Sequence, residues 1–178
     1  DMKIIVQGVG SVGESLISHL CEDGANVYIN DIDPEKLSRV SRKYDVKIVS
    51  LEDVYDLDVD IYAPCALGAT VNDLTISRLR CSIIAGAANN ILLDPVKHGL
   101  ELMNRNILFA PDYVINAGGL INVANEIEGY DEVKVKTDTE KIYDTLLNIY
   151  VMSENEKIPT VEASDKLAQQ IIDKKKLE

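Results

Sequence analysis

The residues whose types and spacing could do chemistry lie first at the start of the chain. Gly8-Val9-Gly10-Ser11-Val12-Gly13 is a G-x-G-x-x-G turn. It follows the short apolar run Lys3-Ile4-Ile5-Val6-Gln7 and opens directly into a helical pattern. A second apolar run, Val27-Tyr28-Ile29-Asn30, ends on the carboxylate of Asp31 about twenty residues further on. Strand, tight turn, helix, strand and terminal acid together form a dinucleotide-binding fingerprint. Gly8 permits the turn, Gly10 lets the backbone approach a pyrophosphate, and Gly13 lets the helix pack on the strand. The helix N-terminus offers N–H groups and positive dipole, and Asp31 would accept from ribose hydroxyls, with Ile32 beside it. Two later loops combine small residues with amides. In Gly86-Ala87-Ala88-Asn89-Asn90 small residues are expected to admit a flat ligand, and in Asn116-Ala117-Gly118-Gly119-Leu120-Ile121-Asn122-Val123 glycines again expose backbone at a helix start. Asparagines also cap helices and turns, so from the residues alone both roles stay open.

These groups need a scaffold that brings strand ends together. The apolar runs alternate with helical patterns, and each run ends in a small or polar loop. That predicts an α/β fold, a Rossmann doubly wound parallel sheet, followed by two C-terminal helices. Helices are expected over Ser11–Asp23, with Val12, Leu16 and Leu20 facing the sheet, and from Pro34, capped by Asp33, to about Tyr44. Others are expected from Asn72 or Asp73 to about Leu79, and from Pro95, capped by Asp94, to about Arg105. Ser50 and Asp53 resemble a capping box. Further strands are expected at Lys47–Val49, Val59–Ala63, Ser82–Ala85 and Ile107–Ala110. Two tail helices are expected, over about Thr137–Glu154 and Pro159–Lys175. Ile142, Leu146, Ile149 and Tyr150 form a stripe on the first, widened by Tyr143 and Leu147. A stripe so wide fits packing on the core and equally fits a lead back to another domain. The organisation expected is residues 1–135 as the NAD-binding domain and 136–178 as C-terminal helices.

Bulk properties narrow the function. The 178 residues carry a net charge of −12, which repels phosphate backbones and argues against a nucleic-acid partner. No apolar run is long enough for a membrane span, and no signal peptide is visible. Cys21, Cys65 and Cys81 lack C-x-x-C spacing, and two histidines are too few for a metal cluster. No metal is therefore expected, and a reducing cytoplasm fits best. Cys65 has no histidine nearby and reads as a small apolar contact rather than a nucleophile, and His19 reads as a solvated helix residue. No Ser-His-Asp set and no catalytic lysine in a glycine-rich setting is present. The chain opens almost on its first strand, as expected of a domain cut from a longer protein, and Leu177-Glu178 is compatible with a cloning remnant.

Four stretches in order carry a resemblance. They are Val6 to Gly13, Ala63-Pro64-Cys65-Ala66-Leu67-Gly68-Ala69, Ile84 to Asn90, and Ala110-Pro111-Asp112-Tyr113-Val114-Ile115-Asn116-Ala117-Gly118-Gly119. They resemble the coenzyme-binding domain of leucine dehydrogenase and, more widely, the glutamate, leucine, phenylalanine and valine dehydrogenases, from about Lys3 to Leu167. The resemblance implies NAD-dependent oxidative deamination of a small apolar L-amino acid to its 2-oxo acid, with release of ammonia. It implies cofactor contacts at Gly8, Val9, Gly10, Ser11, Val12, Gly13, Asp31, Ile32, Ala63, Cys65, Ala66, Ala87, Asn89, Asn90 and Asn116. It implies substrate contacts at Asn90, Leu120 and Val123. Gly13 is often alanine in the family, which reads as a harmless swap, and Leu120 stands where branched-chain enzymes usually carry valine. Asp31 favours NAD over NADP. The family's catalytic lysines and proton-transferring aspartate belong to an N-terminal domain that nothing here matches. No catalytic residue is therefore expected in this chain, which is expected to bind NAD without turning over leucine alone. A homo-oligomer is compatible with the family. The alternative is a stand-alone NAD-binding regulatory or interaction module that has lost catalysis. A dehydrogenase of another Rossmann family would require four accidental motif matches.

Overall fold

The computed structural model describes residues 2–66 and 68–177; Leu67, in the Ala63–Ala69 stretch, lies outside the described residues. Six parallel strands form one sheet in the order β3-β2-β1-β4-β5-β6: β1 Lys3–Gln7, β2 Asn26–Asn30, β3 Val46–Ile48, β4 Ile61–Pro64, β5 Ile83–Ile84 and β6 Leu108–Phe109. The order reverses beside β1, the switch point of doubly wound sheets, where β1 pairs with β2 on one side and β4 on the other. This is the Rossmann-like architecture the alternation predicts. Because successive strand residues point to opposite faces, Ile4 and Val6 join one core with Val27, Ile29 and Ala63. Ile5 joins the other with Tyr62, Ile84 and Phe109. Each fully buried aliphatic side chain contributes about 1.5–3 kcal/mol.

The helix α1, Ser11–Glu22, packs through Gly13 and Ile17, not through the expected Val12 stripe, and Val12 is 59 % exposed. The cause is the tight turn, which brings Gly13 against Gly8 and rotates the helix accordingly. Leu16 and Leu20 flank the buried line and are half-buried. A Schellman closure ends α1, with Ala25 N–H bonding Leu20 O and Gly24 N–H bonding Cys21 O. The helices α2 (Pro34–Lys43) and α3 (Pro95–Asn104) start as predicted. Asp33 accepts from Glu35 and Lys36 N–H, and Asp94 accepts from Val96 and Lys97 N–H.

The expected helix from Asn72 or Asp73 to about Leu79 is absent, and no helix follows the Ser50–Asp53 pair. Residues 51–56 and 73–78 are runs of turns. The Ser50–Asp53 pair does form, with Ser50 Oγ donating to Asp53 at 2.7 Å and Asp53 N–H returning at 3.1 Å. It closes a turn that Arg78 then pins through the Glu52 carbonyl and Asp56. Around Asn72, Thr75 Oγ1 accepts from Asn72 N–H and donates to Thr70 O, so side-chain bonds replace the helical ladder.

After β6 come α4 (Asp112–Ile115), α5 (Gly118–Glu128), α6 (Glu132–Glu156) and α7 (Thr160–Leu177). The tail helix α6 starts earlier than expected because Asp131 caps it, accepting from Val133 and Lys134 N–H. The expected division at 135/136 thus falls in its first turn. Ile149 is the buried residue of α6, with Ile142, Leu146 and Tyr150 half-buried, while Tyr143 and Leu147 are exposed. Ala163 and Ser164 of α7 are buried, and the helix packs on α3 and β6. No helix among the described residues is long and apolar enough to cross a membrane.

Candidate functional site

The glycine turn joins β1 to α1 at the carboxyl end of the sheet. Gly8 has φ 101°, which only glycine adopts without strain, and its N–H donates to Asn30 O at 2.7 Å. A Cβ on Gly13 would sit well inside the van der Waals radius of the Gly8 carbonyl oxygen. Alanine is therefore no harmless swap here: the turn and helix touch at that point. A Cβ on Gly10 would meet nothing, so the middle of the turn faces open space. The helix has no side-chain cap at Gly10, which leaves its first-turn N–H groups and positive dipole end for a ligand. These features fit a pyrophosphate cradle.

Asp31 does more than the fingerprint implies. Its Oδ2 accepts the Val9 N–H at 2.7 Å, and its Oδ1 accepts the Asp33 N–H at 2.9 Å. One carboxylate thus ties the end of β2 to the glycine turn, and its remaining lone pairs can still accept from a ribose. Val9 keeps its side chain in the core and its N–H on Asp31, so neither faces outward. Ile32, 83 % exposed, stands beside this carboxylate as a bare apolar surface.

A groove of ≈ 910 Å³ runs from the start of α1 to the loop after β5, lined by Ser11, Val12, Leu16, Gly86, Ala87 and Gly118 among others. Exposed Val12 therefore has a surface to serve. His19 lies on the same groove, exposed, 3.8 Å from Glu22. Two small residues differ from expectation. Gly86 is buried, and a Cβ there would collide with the Pro64 backbone, so its smallness serves chain packing, not ligand approach. Ala88 is buried as well, with its N–H on Pro64 O at 3.0 Å. Ala63 is a core residue with no free side-chain surface, whereas Ala66 is exposed. Cys65 lies half-buried under the glycine turn, and burial pushes its thiol above the ordinary value, which disfavours the nucleophilic thiolate.

A second cavity, ≈ 470 Å³, is lined by Asn89, Asn90, Leu92, Asp112 and Tyr113 with their neighbours. Here the two amide loops meet: Asn116 Nδ2 donates to Asn89 Oδ1 at 2.6 Å. The Asn90 N–H donates to the Asp112 carboxylate, and the neighbouring Tyr113 hydroxyl bonds Ser164 Oγ and, at 2.9 Å, Asp165 Oδ1 on α7. Burial is the main cause that pushes the Tyr113 phenol up to about 12. Neither Asp112 nor Tyr113 stands out in the sequence, because their partners lie 22 and about 50 residues away. Leu120 (74 % exposed), Val123 and Ile127 form an uncovered apolar edge of α5. His98, by contrast, is buried structure: Nδ1 accepts from Asp94 N–H at 3.0 Å and Nε2 faces Asp73 at 2.8 Å.

Comparison with known proteins places the chain in a family. The family model for glutamate/leucine/phenylalanine/valine dehydrogenase matches residues 1–175. An L-tryptophan dehydrogenase of Nostoc punctiforme is 47 % identical over 175 residues, covering 98 % of this chain and 50 % of that protein. The leucine dehydrogenase of Bacillus subtilis (strain 168) is 44 % identical over 171 residues, covering 96 % of this chain and 47 % of that protein. A crystal structure of L-tryptophan dehydrogenase from Nostoc punctiforme is similar with a TM-score of 0.95 at 47 % identity, over 97 % of this chain and 52 % of that one. The chain spans about half the length of the curated relatives it matches. From glycine turn to amide loops, it belongs to the glutamate/leucine/phenylalanine/valine dehydrogenase family.

Proposed function

We propose that this chain is the NAD-holding part of an amino-acid dehydrogenase that oxidatively deaminates an apolar L-amino acid to its 2-oxo acid and ammonia. The observation that carries the reading is the pairing of an uncapped α1 with a glycine turn latched by Asp31. The first-turn N–H groups of α1 would hold the pyrophosphate, and Gly10 would let the backbone approach it. Asp31 would accept from the ribose hydroxyls and repel a 2′-phosphate, so NAD is preferred over NADP. Ile32 and Val12 would cover the flat and ribose portions with apolar surface. Asn89, Asn90 and Asn116 would hydrogen-bond the carboxamide end of the cofactor and the amino-acid head group, with Asn90 shared between them. Leu120 and Val123 would face the substrate side chain, which suits a small apolar group. Bound NAD supplies the hydride acceptor for oxidation at the substrate α-carbon.

No lysine stands among the described residues that line the two cavities, and proton transfer and carboxylate binding are assigned to the remaining half of the enzyme. Residues 136–178 are proposed as helices that pack on the dinucleotide domain and lead toward that half. Hydride transfer needs both parts closed around the substrate with water excluded. Calorimetric titration with NAD and NADP tests the cofactor reading, with binding of NAD and little of NADP expected. Tight NADP binding without NAD binding would overturn the role of Asp31. The chain alone is expected to give no NADH from leucine, phenylalanine or tryptophan, and enzyme-like turnover would sink the division of labour.

A further inference from the structure

The Asn89–Asn90 loop is gripped from both sides. Asn90 has φ 52°, a left-handed conformation that asparagine adopts more readily than most non-glycine residues and that its neighbours fix here. Its N–H goes to the Asp112 carboxylate on α4, and its C=O accepts from Ala69 N–H at 2.6 Å, in the loop after β4. On the same side Gly68 lies so close to the Asn89 and Asn90 carbonyls that a Cβ would collide with them. Asn89 is tied in turn by Asn116. Both main-chain polar groups of Asn90 are thus consumed by neighbouring loops, while its exposed carboxamide has no hydrogen-bond partner among the described residues. The clamp itself is anchored: Tyr113, next to Asp112, is fastened to Ser164 and Asp165 of α7.

We infer that Asp112 is a positioning residue for the proposed reaction: by holding the left-handed Asn90 backbone it aims the free Asn90 carboxamide at the nicotinamide amide. The inference rests on the NAD reading above. The carboxylate oxygens of Asp112 take the N–H, and the Asn90 carbonyl is left to Ala69. A merely structural Asp112 would support the first turn of α4 and affect every ligand alike.

The test compares NAD with ADP-ribose, which shares the pyrophosphate and ribose contacts but lacks nicotinamide. Wild type is expected to bind NAD about fivefold more tightly, the worth of one net hydrogen bond. D112A should abolish that ratio while ADP-ribose affinity stays within about twofold, and D112N, which keeps one acceptor oxygen, should restore part of it. Circular dichroism establishes folding, and if D112A does not fold, D112N carries the comparison with a ratio between those of wild type and one. Equal weakening of both ligands by either variant would show a general structural role and overturn the inference. So would a wild type that binds both compounds equally, since the Asn90 carboxamide would then read nothing. A wild type that binds neither overturns the dinucleotide reading, and this inference with it.

Discussion

Val9 donates its backbone N–H to Asp31 Oδ2 across 2.7 Å, so the acid at the end of β2 is also the latch of the glycine turn at the end of β1. Cofactor choice and turn geometry therefore share one side chain. D31N keeps the size of the group but has a single acceptor oxygen for two N–H donors, and its NH₂ must face one of them. Charge-assisted bonds of this kind are worth about 1.5–3 kcal/mol. D31N is expected to weaken NAD binding by about tenfold or more and to raise NADP affinity relative to NAD, as read by calorimetry. Unchanged NAD affinity would remove Asp31 from the site.

Gly13 offers a second test, because the structure leaves no room for a methyl group against the Gly8 carbonyl. Moving the turn or α1 to admit one should cost about 1–3 kcal/mol. For a chain of this size that lowers Tm by roughly 3–10 °C. A scanning calorimetry trace of G13A that overlays wild type would mean the turn relaxes freely.

Acid should unfold the protein through its paired carboxylates. Arg39 at 2.6 Å and Lys43 at 3.2 Å hold Glu14 below its ordinary value of 4.5. Arg78 lowers Asp56, and Lys97 with His98 lowers Asp73, from 3.8. A carboxylate depressed in the folded state contributes stability above its unfolded value and loses it as pH falls through the folded one. Urea midpoints are thus expected to be flat above about pH 5 and to drop below about pH 4. E14Q should flatten that drop in part, and an identical profile for E14Q would show that the Glu14 pairs are fully screened.

Tyr113 makes the opposite prediction at high pH. Burial pushes its phenol up to about 12, above its ordinary value of 10. The stability it contributes is present below about pH 10 and is lost as pH rises through 12. Absorbance at the tyrosinate band should show a late-ionising component shared with buried Tyr62 and half-buried Tyr150, and Y113F should reduce it by one tyrosine while cutting the tie between α4 and α7. A Y113F titration curve that merely scales to one fewer ordinary tyrosine would contradict this.

The local signals were readable where the physics is local. Alternating Ile4, Ile5 and Val6 place themselves on two faces of a sheet, and Asp33-Pro34 and Asp94-Pro95 cap helices within three residues of chain. The glycine fingerprint announces a turn because strand, turn and helix are adjacent. Legibility failed where a partner is distant. Gly86 must be small because of Pro64, 22 residues earlier, which no inspection of its own loop reveals. Segment 73–78 carries a helix-like cap, yet Thr75 spends its hydroxyl on Asn72 and Thr70 and turns the chain instead. Asp112 and Tyr113 matter through Asn90, Ser164 and Asp165, all brought close only by the sheet and α7.

The sheet order also bears on how the chain is made. β1 is the first of the six strands along the chain, yet it lies at the middle of the sheet, between β2 and β4. While β4 is still unsynthesised, the Ile4-Ile5-Val6 strand can pair on one side only. At about 5–20 residues per second, the 58 positions from Lys3 to Ile61 leave that apolar edge open for roughly 3–12 s. The nascent chain therefore carries the Ile4-Ile5-Val6 strand half paired for those seconds, and chaperone demand should be highest just before β4 emerges.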